Sequence, residues 1–210
     1  MPEVLRAGDI LITDTPWPGH AGIALTGIHL WEPGFRDLAR TAVAEAGGRV
    51  RATSIYHAVN PGGVMEEGGW HQRSIVFRPD NLSFAMCEEM CRIADEIQRG
   101  ARYGVARAVL KSWSSSTRFS SNARDRLAKY RERLGNHQGQ VAIVKNLYCS
   151  EFVVLIYQLA CAGEDDPNFI NINAKHTLPR DLRRWMEHHP AHWTRMGQTR
   201  GDMTLQYDPG

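Results

Sequence analysis

Cysteine is scarce in this chain, with 4 among 210 residues, too few for the disulfide framework that staples small secreted domains. A chain of this length buries roughly 70% of its unfolded surface, so it needs neither that framework nor a structural metal. Charge of one sign is lacking as well. Lys and Arg number 25 against 23 Asp and Glu, a formal net charge of +2. Such a balance supplies no whole-molecule field for nucleic acid or an anionic membrane. Long apolar runs are missing. The longest, Phe152 to Ala162, contains Gln158 and falls short of the roughly 20 residues a spanning helix needs. The opening segment, MPEVLRAGDILITDTPWPGH, has no basic region followed by an apolar core and a small-residue cleavage site. The expectation is a protein made in the cytoplasm, with reduced thiols, no signal peptide and no transmembrane segment.

What is present is ordinary for a folded domain: 42% hydrophobic and 23% charged residues. Length and composition predict a single domain over 1–210 and exclude disorder and fibrous repeats. Short β-rich runs come first. Ile10–Thr13, His20–Leu25, Val50–Tyr56 and Ser74–Phe77 read as strands, separated by the DTPWPG turn at 14–19 and the Asn60-Pro61-Gly62-Gly63 turn. Helical patterns follow. Asn81 or Ser83 caps a helix over 83–98, with Cys87, Met90, Cys91, Ala94 and Ile97 on one face. Residues 102–111 look helical, Asn122–Leu134 is a charged amphipathic helix, Ser150–Ala162 an apolar buried one, and Asp181–His188 a short late one. The segment 27–50 reads as an insertion that could hold a helix over Phe35–Ala46, and a serine-rich loop lies near 112–122. Strands followed by helices predict an α+β fold.

Cys149 is the strongest nucleophile candidate. It opens the late apolar helix, where the helix dipole and unpaired N–H groups favour a thiolate and lower the pKa from its free value. Cys87 and Cys91 lie on an apolar stripe and Cys161 ends the buried helix, so core packing explains them. A CxxxC pair could donate two metal ligands, but nothing nearby completes a set. No cofactor is expected. Among nine histidines, His20 opens a strand directly after a turn and His57 closes another. A thiol nucleophile needs a base and a polar group that orients the base. His20 is the candidate base, with His57 or Glu32 as the orienter. His188, His189 and His192 are interrupted by Pro190 and read as a solvated helix end. His29, His71, His137 and His176 have no context that raises them. Arg180, Arg183 and Arg184 form one small basic face, which reads as solvated surface.

Gly8-Asp9-Ile10-Leu11-Ile12, Gly19-His20-Ala21-Gly22-Ile23 and Tyr148-Cys149-Ser150-Glu151-Phe152 together resemble the circularly permuted NlpC-type papain-like family. YiiX-like proteins and lecithin:retinol acyltransferase-like enzymes belong to it. In that family the histidine precedes the cysteine, as His20 precedes Cys149 here by 129 residues. Tyr56-His57-Ala58 with Gly62-Gly63-Val64 is similar to the family's second strand, which favours His57 over Glu32. Gly100-Ala101-Arg102-Tyr103 and Thr177-Leu178-Pro179-Arg180-Asp181-Leu182 resemble its flanking segments. The insertion at 27–50 and the serine-rich loop depart from the pattern.

The resemblance implies a papain-like antiparallel sheet packed on helices, with catalytic Cys149, His20 and His57. It implies attack on an amide or ester carbonyl and an acyl-enzyme on Cys149, with the Cys149 N–H as oxyanion donor. Tyr103 and Tyr148 are weaker candidates for an added hydroxyl. The first expectation is a peptidase or amidase of amide-containing substrates such as cell-wall peptides, exported by a leaderless route as an antibacterial effector. An immunity or delivery partner is unidentified. The alternatives are a lipid acyltransferase or thioesterase on the same site, for which Trp17, Trp31 and Trp70 would supply apolar surface, and a non-catalytic binding module. Nucleic-acid binding is not expected.

Overall fold

The residues from Ile10 to Thr13 are buried at every position, which a strand achieves only when both its faces are covered. The structure, a computed structural model, describes residues 3–13, 19–26, 52, 54–59, 63–100, 102–103, 117–135, 146–199 and 204–206. The DTPWPG turn up to residue 18, the segment 27–50 with Glu32, the helix expected beyond 103, and residues 112–116 of the serine-rich stretch lie outside the described residues.

The elements are β1 (Glu3–Val4), β2 (Ile10–Thr13), β3 (His20–Leu25), β4 (Ser54–Val59), β5 (Gly63–Glu67), β6 (Ile75–Pro79), α1 (Phe84–Gly100), β7 (Arg102–Tyr103), α2 (Ser121–Gly135), β8 (Asn146–Leu147), α3 (Cys149–Ala160), a 3-10 turn (Ala174–His176), α4 (Pro179–Glu187), β9 (Trp193–Thr199) and β10 (Thr204–Gln206). The fold is α+β. An antiparallel sheet runs β1-β10-β9-β6-β2-β3-β4-β5; its six longer strands are flanked at one end by the short β10 and β1.

Alternation along each strand sends successive side chains to opposite faces. Ile10, Ile12, Ala21, Ile23, Leu25, Tyr56 and Phe77 join the main core with α1, α3 and α4. Leu11, Ala24, Ile55 and Val76 face the other way, into a second cluster with Leu5, Trp70 and Leu205. Helix α3 is buried from Cys149 to Leu159, as its apolar composition predicts. Ser83 is the cap of α1: its Oγ accepts the Met86 N–H at 3.1 Å.

Several expectations change. The strand expected over 50–56 is β4, and it runs on to Val59, so His57 sits inside a strand and not at its end. β5 opens at Gly63, whose φ of 85° suits glycine. Arg102–Tyr103 is not helical; it pairs in parallel with Asn146–Leu147, the lead-in to Cys149. Strands also return after the helices. β9 has a polar sequence and escapes the apolar pattern, yet it pairs with β6 through a bulge between Val76 and Phe77.

The Gly8-Asp9 pair locks these layers together. Buried Asp9 accepts Arg78 Nε–H on Oδ1 at 2.8 Å and Nη2–H on Oδ2 at 2.7 Å, and Arg6 N–H adds a third bond at 2.8 Å. Gly8 has a φ of 92°, and a Cβ there would lie 2.3 Å from Leu82 Cδ2. Tyr157 of α3 donates its hydroxyl to Gly8 O. The GD motif is therefore structural: it ties β2 to β6 and α3. Asp9→Asn leaves the Arg78 guanidinium without its counter-charge in the interior, and should cost about 3–5 kcal/mol in urea unfolding. A loss below about 1 kcal/mol, the range of exposed pairs, would contradict that role.

Candidate active site

Cys149 is the first residue of α3, and Tyr148 at the N-cap makes no side-chain capping bond. The first N–H groups of the helix are thus left to other acceptors. Backbone N–H groups of Ala21, Ser150 and Cys149 itself act on the thiol. Ala21 is the second residue of β3, so α3 presents its sulfur to the strand immediately beside His20. The helix start is held there by neighbours. Ser150 Oγ donates to Thr177 O at 2.7 Å, and Tyr148 hydroxyl donates to Ala174 O at 3.3 Å. The Thr177–Leu182 segment serves this clamp: Pro179 opens α4, and Leu178 N–H donates to Asp181 Oδ2 at 3.2 Å.

His20 and His57 meet directly, with Nε2 of His20 2.7 Å from Nδ1 of His57. The register explains this. Gly22 is opposite His57 across β3 and β4, and His20 shares a strand face with Gly22. The missing side chain at Gly22 makes room for Trp70: a Cβ there would approach the indole to 3.2 Å and Ile55 Cγ2 to 3.0 Å. Trp70 stacks parallel to His20, with ring centroids 5.5 Å apart, and meets His57 edge-on at 5.2 Å. Its Nε1–H donates to Ser74 Oγ at 2.8 Å, which fixes the indole. On the far ring nitrogen of His57 stands Glu67, with Oε1 3.2 Å from Nε2. That is ion-pair distance without full hydrogen-bond alignment.

His20 and His57 thus form one contiguous unit. Cys149 reaches the same end of β3 from the helix face, through the Ala21 peptide. Among the described residues, no hydrogen bond joins its sulfur to either ring. With Nε2 of His20 engaged by His57, the nitrogen left for the thiol is Nδ1. Four covalently linked atoms, Cγ, Cβ, Cα and C, separate Nδ1 from the Ala21 nitrogen that faces the sulfur.

The electrostatics differ from the expected thiolate. Burial pushes the Cys149 thiol up to about 11, against the pull of the Ala21, Ser150 and Cys149 N–H groups. Burial, then repulsion from His57, lowers His20 to about 4. Burial also lowers His57, opposed by Glu67. At neutral pH the thiol keeps its proton and both imidazoles are uncharged.

The remaining candidates take structural places. Cys91 bonds to Thr26, and burial pushes Cys87 up to about 12. Cys161 ends the core at the end of α3. His188 and His189 turn Nδ1 onto Arg184 O and Trp185 O, each at 2.6 Å, at the end of α4. Arg183 pairs with Glu187 at 2.8 Å. Among the described residues, no group of three or more His, Cys, Asp or Glu is placed to hold a metal, and no helix is long and apolar enough to cross a membrane. Glu67 was not legible beforehand. Its signal is the β4–β5 hairpin: with Met65 opposite His57, Glu67 lies on the diagonal of the same face.

Comparison with protein families, curated proteins and solved structures finds no match to this chain.

Burial lowers both imidazoles in the folded protein, and His20 stays neutral down to about 4. In the unfolded chain His20 binds a proton near pH 6.5, so it subtracts stability as pH falls from there toward 4. A ¹⁵N titration of the histidine rings should place the His20 midpoint near 4, whereas a midpoint at 6.5 would show it solvated and outside the cluster.

Proposed function

We propose that the chain is a cysteine-dependent hydrolase of amide bonds, acting through an acyl-enzyme on Cys149 in a papain-like fold of the permuted NlpC type. The observation that carries this reading is the meeting at the start of β3. A thiol heads an uncapped buried helix against the Ala21 N–H, and the residue before Ala21 is an imidazole already bonded to a second.

In this mechanism the S–H proton moves to His20 Nδ1 as the sulfur attacks the carbonyl carbon. Because the resting pair is neutral, proton transfer accompanies attack, and the charge develops only in the transition state. The carbonyl oxygen becomes an oxyanion and accepts the Cys149 N–H, a preorganised donor at the positive end of α3. The imidazolium formed on His20 is stabilised through His57. The C–N bond then breaks, and His20 returns its proton to the leaving amine. Water, deprotonated by His20, attacks the thioester; the carboxylate product leaves and the thiol is restored. A stem peptide of the bacterial cell wall is the proposed substrate, and cleavage there would suit an exported effector.

Incubation with peptidoglycan sacculi should release muropeptides. Cys149→Ala should abolish release, and His20→Gln should lower it by about 10²–10⁴-fold. The kcat/KM profile should be level across neutral pH, with limbs near 4 and 11 from His20 and Cys149. Release by Cys149→Ala at the wild-type rate would remove the proposal.

A further inference from the structure

The imidazole pair does not end at His57. Strand β5 carries two adjacent glutamates that alternation sends to opposite faces. Glu66 lies opposite Tyr56 and bonds to it on the helix side. Glu67 reaches the imidazole side, 3.2 Å from His57 Nε2, with its side chain 37% exposed where that of His57 is 5% exposed. We propose that Glu67 is a positioning residue: its carboxylate sets the proton positions of both imidazoles, so that His20 Nδ1 is left as a bare lone pair for the thiol.

The argument is one of donors and acceptors. An ionised carboxylate has no proton to give. The nitrogen facing it, His57 Nε2, must therefore carry the hydrogen, and a neutral imidazole then has Nδ1 as its acceptor. His57 Nδ1 lies 2.7 Å from His20 Nε2, so that nitrogen must be the donor. His20 consequently holds its one proton on Nε2, and Nδ1 is free to take another. The opposite arrangement would face a lone pair of His57 toward the carboxylate and put a hydrogen on His20 Nδ1, where it cannot act as a base. A buried imidazole pair with no acid at its end has no such direction. Trp70 adds packing: it stacks on His20, meets His57 edge-on and is itself held by Ser74. Glu67 touches no reacting atom. It acts through two rings, at the water-exposed end of the relay.

This inference deepens the hydrolase reading and takes its catalytic meaning from it, but the proton positions can be read without turnover. In the full-length chain with ¹⁵N-labelled histidine, His20 and His57 should both show the Nε2–H tautomer, and should keep it in Cys149→Ala. Glu67→Leu should convert both rings to a tautomer mixture. The rate at which iodoacetamide alkylates Cys149 should fall by roughly 10–100-fold, by analogy with the cost of losing the outer partner of a metal-bound histidine. Glu67→Gln is isosteric and its amide oxygen can face the His57 Nε2–H as the carboxylate does, so it should retain the tautomers and most of the rate; it also guards against a folding defect in the leucine variant. Wild-type His20 protonated on Nδ1, or tautomers and alkylation unchanged in Glu67→Leu, would overturn the proposal. Tautomers that follow Glu67 in a protein that leaves sacculi and other amides intact would support the relay and dispose of the hydrolase reading alone.

Discussion

The burial of α3 is the constraint on which the rest depends. A helix covered on every side has no freedom to slide, so the position of its first residue is set by what holds its two ends. At the far end Arg131 donates to Gln158 O and Cys161 O, both at 2.9 Å, closing carbonyls that the helix leaves open. Along its length Tyr157 bonds to Gly8, and Gln158 donates to Ile170 O and Ile172 O at 2.8 and 2.7 Å. At the near end Ser150 is tied to Thr177. Only the cap itself is unfilled, and there the N–H groups meet a thiol. The GD turn is remote from the sulfur, yet through Asp9, Arg78 and the Tyr157 bond it fixes where α3 lies against β2 and β3.

Burial acts on the chemistry in two ways. It makes a resting thiolate costly, which outweighs the three N–H groups around the sulfur and keeps the proton in place. It also strengthens any interaction with charge that appears later, because the same N–H groups act in a medium of low dielectric. In the proposed mechanism such a site is quiet until a carbonyl arrives. The imidazoles follow the same logic: desolvation lowers both, and a neutral ring keeps a lone pair that can accept a proton.

Much of this was legible from residues. The thiol at a helix start, the imidazole at a strand start and the α+β class all follow from local pattern, because α3 and β3 are apolar, short and bounded by turn residues. The thiolate was not correctly read, since the dipole argument is local whereas the desolvation that opposes it comes from the whole core. His57 was placed at a strand end because Asn60-Pro61-Gly62-Gly63 masks how far β4 runs. Glu67 and the role of Trp70 depended on a hairpin register that a glycine-rich turn does not specify by itself. β9 was invisible because its partners, β6 and β10, lie far away in the chain or are too short to show a pattern.

The central claim is spatial: Cys149 and His20 act on one another across the start of β3. A bifunctional alkylating reagent with two reactive carbons on a single ketone tests this directly, since it captures the thiol first and can then reach only a neighbouring nucleophile. The account predicts a covalent bridge from Cys149 Sγ to a ring nitrogen of His20, seen by mass spectrometry as one linked peptide pair, and its loss in His20→Gln. Alkylation of Cys149 with no bridge, or a bridge to another residue, would contradict it.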